Sequence, residues 1–410
     1  MFFSVALFFV LIVQFALLLH GSHLALLLYR LESLQLEPLI LSSLSALLGT
    51  LLTCYLIKRF EFMHRAFTFD HQVYAVQKIH EHPVPRVGGV AIMVGLIISM
   101  ITCFFFNSEA EVGESYMALL LLASLPIFLG GLVEDLTKKV RVRTRLLLAF
   151  ISAGMGAYLL HALLLSLGVD WVDKSLINVP WVLLIFTLFA VGGVTHSFNL
   201  IDGLNGLLGG FALIVLSAFS LVAYQAADYT LVMVSLLVMM SILGFLVWNW
   251  PSGQIFAGDG GAYLLGYLSA TLMVLLVARN PEVSPWFPLV LLGYPVFETL
   301  YSIYRRRLIM KTAHDLPDSL HLHQLIFKLM STMLGQRKNI LISANSLSSI
   351  PIWIITIMMA VIAVHYSSNT KMLMWVFLGG VVAYKLTYRI LYFLVFKVKL
   401  EAVNPKQNGD

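Results

Sequence analysis

Trp248-Asn249-Trp250-Pro251-Ser252-Gly253-Gln254-Ile255-Phe256-Ala257-Gly258-Asp259-Gly260-Gly261 leaves one apolar run, 230–248, and leads into another, 262–278. Runs of about 20 apolar residues have the length of a membrane-crossing helix. Pro251 interrupts helix between them. Asp259, flanked by glycines, therefore stands where a membrane helix begins. A carboxylate at that depth is expensive and usually faces a polar cavity, which makes it a functional candidate. Hard oxygen donors at such a place suit Mg²⁺, which takes one or two carboxylates and leaves its other positions to water and phosphate.

The rest of the chain is built the same way. Of its 410 residues 60% are hydrophobic and only 11% charged, whereas soluble domains run near 45–50% apolar and about 25% charged. This composition excludes a pair of soluble domains and predicts an all-α, polytopic membrane bundle. Twelve spans are expected: 2–20, 37–57, 88–106, 115–133, 146–167, 180–198, 207–224, 230–248, 262–278, 284–304, 340–364 and 372–396. The first lacks a basic leader and a small-residue cleavage site, and reads as a retained helix. Cys54 and Cys103 both lie in apolar runs and make no disulfide framework or ligand cluster.

Charge sets the sides. With the segment after the second span in the cytoplasm, the loops on that side hold 20 Lys and Arg, against 4 on the other. That is the positive-inside pattern. Basic residues spread in this way argue against nucleic-acid binding.

The same parity places every chemically unusual loop on the cytoplasmic side. Residues 78–89 carry Lys78 and Arg86, which suit phosphate, two prolines, and Gly88-Gly89 at a helix start. Glu134-Asp135 follows Gly130-Gly131 at a helix end, where two carboxylates repel each other and the negative end of the helix dipole. A cation would relieve both. Five basic residues follow, ending at Arg145, and suit either a lipid phosphate or simple topology. Asn199, Asp202 and Asn205 are spaced by three among glycines, so they can share one helix face. Asn249 and Asp259 are ten positions apart. The last loop holds Arg305-Arg306-Arg307, His314, Asp315, Asp318, His321 and His323. A His-x-His pair first reads as a zinc or phosphate ligand. With no cysteine near, Arg and His beside polyphosphate fit better. Acids ready for a metal, ringed by cations and glycine loops, are the equipment of phosphoryl chemistry.

In motif order over residues 37–335, these loops resemble the polyprenyl-phosphate N-acetylhexosamine-1-phosphate transferases. That group includes the undecaprenyl-phosphate N-acetylglucosamine-1-phosphate transferases and the phospho-MurNAc-pentapeptide translocases. The most specific matches are 199–210 and 249–261. The resemblance implies transfer of a phospho-N-acetylhexosamine from a UDP-sugar to undecaprenyl phosphate. The products would be a lipid-diphosphate-sugar and UMP, as the first step of a surface polysaccharide such as an O-antigen. It implies Asp259 as the Mg²⁺ ligand, with Mn²⁺ as an alternative ion, and Asp259, Asp135 and Glu134 as the catalytic acids. Lys78, Asn199, Asp202, Asn249, His321 and His323 would bind substrate, with Asn249 close to the metal or the phosphates. Direct attack by the lipid phosphate and a covalent aspartyl intermediate both remain open.

Three positions depart from the family pattern. Glu134 stands for the first Asp of a pair, Gln324 for a third His, and Ala262 for a frequent Ser. Pro83-Val84-Pro85-Arg86 leans toward the N-acetylglucosamine-type enzymes. The expected organisation is an extra N-terminal span in 1–36, a transferase core in 37–339 and C-terminal helices in 340–410. The expected location is the inner membrane with the site facing the cytoplasm, and a homodimer is the assembly the resemblance implies. The competing expectation from composition is a transporter, but its acids would lie near the midplane in repeated halves.

Overall fold

The computed structural model describes residues 36–68, 84–106, 111–176, 179–310, 320–334 and 343–403. The expected span 2–20 lies outside the described residues, as do Lys78, His314, Asp315 and Asp318. The described chain is all-α. Its helices are α1 (Leu36–Arg59), α2 (Glu61–Thr68), α3 (Gly88–Phe106), α4 (Glu111–Thr137), α5 (Val142–Leu159) and α6 (Asp170–Leu176). They continue as α7 (Pro180–Ile201), α8 (Leu207–Gln225), α9 (Tyr229–Asn249), α10 (Gly258–Arg279), α11 (Trp286–Leu291) and α12 (Gly293–Tyr304). The last four are α13 (Leu322–Leu334), α14 (Ala344–Leu347), α15 (Ser349–His365) and α16 (Thr370–Val403). Among the described residues, nine helical stretches are long and apolar enough to cross a membrane.

Two expected spans are shorter or broken. The run 146–167 is helical only as far as Leu159. The run 284–304 divides at Leu292 into α11 and α12. Pro295 has no N–H to continue the ladder from α11, and Gly293 loosens the same turn. Beyond Tyr304 the chain winds through one wide turn, Arg305–Met310.

Helix α10 is the axis of the bundle, packed by α3, α4, α5, α7 and α8. It is apolar all round, as a helix enclosed by others must be, and every residue from Gly260 to Val277 is buried. Its small residues let neighbouring backbones come close. A Cβ on Gly89 would lie 2.3 Å from the Gly261 backbone, and one on Gly131 would lie 2.7 Å from the Gly260 backbone. The paired glycines of α3, α4 and α10 thus touch one another and bring three helix ends together at Asp259. Gly89→Val is expected to destabilise the fold by about 1–3 kcal/mol through overpacking. The thermal-melting midpoint of the detergent-solubilised variant reads this, and a midpoint equal to wild type contradicts it.

Candidate active site

The loop before α10 is held from both sides. Asn249 closes α9 and is 3% exposed. Its Oδ1 accepts from the Gly206 N–H at 2.6 Å, and its Nδ2 donates to the Ile255 carbonyl at 2.9 Å. The Phe256 N–H donates to the Pro85 carbonyl at 2.9 Å. The Gly88 and Gly89 N–H groups donate back to Phe256 and Ala257 at 2.8 and 2.9 Å. Gly206 and Gly258 have φ of +76° and +72°, a conformation that side chains disfavour. At Gly258 a Cβ would also meet the Arg86 carbonyl oxygen at 2.1 Å. Asn249 uses its amide to join two loops, since each of its polar atoms meets a backbone group.

Asp259 opens α10. Arg145 Nη1 donates to its Oδ2, and Arg86 Nη2 lies 3.5 Å from its Oδ1. Asp135, at the end of α4, is 2% exposed. Its two oxygens accept from the Asp259 and Gly260 N–H groups, each at 2.9 Å. These are the unfulfilled donors of a helix start, so a carboxylate from another helix caps α10. Glu134 Oε2 accepts from the Val140 N–H at 2.7 Å and braces the turn that leads to Arg145, in whose field it lies.

The loop after α7 faces the same point. The Asp202 carboxyl lies next to the Gly258 N–H and in the field of Asp259 and Arg86. Its Oδ2 is shielded and has no hydrogen-bond partner among the described groups. Burial pushes the Asp202 carboxyl up to about 7; Arg86 opposes the shift and Asp259 adds to it. Asn199 Nδ2 donates to the Tyr263 hydroxyl at 2.9 Å. Asn205, third in that spacing, turns away. Its N–H donates to Asn345 at 2.7 Å, and its Nδ2 donates to the Pro251 carbonyl at 3.0 Å.

His321 immediately precedes α13 and His323 is its second residue; they are 3% and 1% exposed. Their rings are parallel within 4°, with centroids 5.6 Å apart. A Cβ on Gly203 would lie 2.8 Å from His323 Nε2, so the late loop reaches the 199–206 loop. Gln324 Oε1 accepts from the His321 N–H at 3.2 Å.

The structure thus gathers Asp259, Asp135, Asp202, Asn199, Asn249, His321 and His323 at one end of the bundle. Three participants were not singled out from sequence. Arg145 is hidden among basic residues that topology alone explains. Tyr263 lies one turn along α10 from Asp259. Glu298 is a lone acid inside an apolar run, and that cost is itself the signal that marks it.

Residues 117–277 match the model of the Glycosyl transferase family 4. The chain is 30% identical over 266 residues to the undecaprenyl-phosphate alpha-N-acetylglucosaminyl 1-phosphate transferase of Thermotoga maritima, covering 65% of this chain and 74% of that one. The chain belongs to glycosyl transferase family 4. The membership implied by the motifs therefore holds. A probable undecaprenyl-phosphate N-acetylglucosaminyl 1-phosphate transferase of Bacillus subtilis is 29% identical over 296 residues, covering 68% of this chain and 77% of that one. The phospho-N-acetylmuramoyl-pentapeptide-transferase of Bacillus velezensis is 32% identical over 205 residues, covering 47% of this chain and 60% of that one. In this family-4 chain the matched region runs from α4 to α10 and contains Asp135, Arg145, Asp202 and Asp259.

Proposed function

We propose that this chain transfers a phospho-N-acetylhexosamine from a UDP-sugar to undecaprenyl phosphate, releasing UMP. The observation that carries the reading is that Asp202 lies in the field of Asp259 at the start of α10. Among the described residues Asp202 keeps a shielded oxygen without a hydrogen-bond partner, and Asp259 is held between two arginines. A carboxylate oxygen buried without a partner is costly, and a cation bound there would satisfy it.

Among the described residues no group of three or more His, Cys, Asp or Glu could hold a metal. Mg²⁺ does not need one, since it keeps several waters and phosphate oxygens as ligands. Asp259 and Asp202 fit such an ion, with Mn²⁺ as an alternative. When bound, the ion would supply Lewis-acid charge on the donor diphosphate.

The chain's own groups do the rest. Arg145 and Arg86 flank Asp259 and are placed to meet charge developing on the phosphoryl oxygens. Asp135 fixes the start of α10, and with it the direction of the Asp259 side chain. Asn199 and Tyr263 hold each other close to Asp259 and Arg145. His321 and His323 approach from the late loop as phosphate or sugar contacts, with Lys78 as a further phosphate contact. In the reaction, a lipid phosphate oxygen forms a bond to the β-phosphorus while the bond from that phosphorus to the bridging oxygen breaks, and UMP leaves with that oxygen. The 20-to-4 split of Lys and Arg supports a site facing the cytoplasm from the inner membrane. Names of relatives favour N-acetylglucosamine as the sugar; initiation of a surface polysaccharide is the setting proposed with it.

Purified protein with undecaprenyl phosphate, Mg²⁺ and a panel of donors tests this. The panel holds UDP-N-acetylglucosamine, UDP-N-acetylgalactosamine and UDP-MurNAc-pentapeptide. UMP release with a UDP-N-acetylhexosamine, stopped by a chelator and restored by Mg²⁺, is the expected result. No UMP from any donor contradicts the reading.

A further inference from the structure

Glu298 lies in α12 and is 0% exposed. Its carboxylate meets three groups from two other elements. Oε1 faces His321 Nδ1 at 2.9 Å, and Oε2 accepts from the Tyr384 hydroxyl of α16 at 2.9 Å. The Leu322 N–H, at the first residue of α13, lies 3.3 Å and 3.1 Å from the two oxygens. One buried acid therefore caps α13 and holds the ring of the residue before it.

The other charged or titratable groups around this ring are His323, Tyr294, Arg305, Tyr384 and Tyr388. Tyr294 hydroxyl and His323 Nδ1 are 3.2 Å apart. Arg305 Nη1 donates to the Leu320 carbonyl and to the Tyr388 hydroxyl, and Tyr388 donates to the same carbonyl at 2.9 Å. The residue before His321 is thus pinned from α16 and from the turn that follows α12. The rings themselves are met at Nδ1, His321 by Glu298 and His323 by Tyr294.

We propose that Glu298 is the positioning residue of the late-loop histidines: it holds His321 by Nδ1–H, so that Nε2 is the nitrogen aimed at the donor's phosphates or sugar. A fully ionised carboxylate is an acceptor only, so its partner nitrogen must carry the proton. The arrangement parallels the way a carboxylate behind a metal-bound histidine sets tautomer and ring orientation. The inference rests on the reading above that His321 serves the donor.

The experiment has two arms. In the first, UMP turnover is measured for E298Q, for H321Q and for the doubly substituted chain. E298Q keeps the shape and removes the charge, and is expected to lower kcat about 10-fold or more, in the range seen when a supporting shell is lost. The double variant is expected to be no slower than H321Q alone, because Glu298 acts through His321. A double variant slowed by the product of the two single losses overturns the proposal, and so does an E298Q chain that turns over like wild type.

The second arm needs no turnover. Ring-¹⁵N spectra of the wild-type protein, with His321 assigned by its absence in H321Q, are expected to show Nδ1 protonated at neutral pH. An unprotonated, acceptor-type Nδ1 overturns the proposal. Should no donor give UMP, the functional reading falls on its own, and the spectra still decide this one.

Discussion

Asp259→Asn is expected to lower turnover by about 10³-fold, the upper end of what removal of one charge-stabilising group costs an enzyme, while the protein still folds. The side chain is 13% exposed and sits at a helix start, where Asn is as acceptable as Asp. Its shape and backbone contacts are unchanged by the substitution. What is lost is the charge that pairs with Arg145 and Arg86 and that, with Asp202, suits a divalent ion. The loss should therefore fall on chemistry. Arg145 keeps Glu134 as a nearby opposite charge, which limits the penalty of its lost partner. The check is UMP release and lipid product, normalised to monodisperse protein of wild-type helicity. Turnover within tenfold of wild type would remove Asp259 from the centre of the site.

Asp135→Ala is expected to behave differently, losing stability and activity together. The carboxylate, itself buried, satisfies the N–H groups of Asp259 and Gly260. Each donor left buried and unpaired costs about 1–3 kcal/mol. The start of α10 should then fray, and Asp259 with it, so that turnover falls by two orders of magnitude or so, as expected when a geometry is displaced by about 1 Å. Both the melting midpoint and UMP release must drop. A variant with the wild-type midpoint and little turnover would mean that Asp135 touches the reacting atoms. One with wild-type turnover would mean that α10 does not need its cap.

Much of this was legible in the sequence, and the legible part has a physical reason. Bilayer thickness and backbone hydrogen bonding leave helices as the way to use such apolar runs, so most spans follow from counting. The costly acid at Asp259 and the glycine pairs mark the helix ends that must touch, and Gly89, Gly131, Gly260 and Gly261 do touch.

The less legible part is direction. Asn249 and Asp135 are equally polar, and sequence does not say whether such a side chain faces a ligand or a backbone N–H. In the structure both face backbone. Arg145 could not be told from its basic neighbours, because topology explains the whole run and only the rotation of α5 picks one residue out. The break at Leu292 was hidden because Pro288 and Pro295 sit in a run apolar enough to pass as one span. Glu298 carried a signal, a charge among apolar residues, which the count of span lengths passed over.

The central claim is that the group moved is the phospho-sugar, not the sugar alone. It is tested most directly with UDP-N-acetylhexosamine labelled with ³²P at the β-phosphorus, incubated with the purified protein, undecaprenyl phosphate and Mg²⁺. The account predicts that the label passes into the lipid phase as a lipid-diphosphate-sugar while unlabelled UMP appears in the water phase in equal amount. Label that stays in the water phase as UDP, with sugar alone on the lipid, would contradict it.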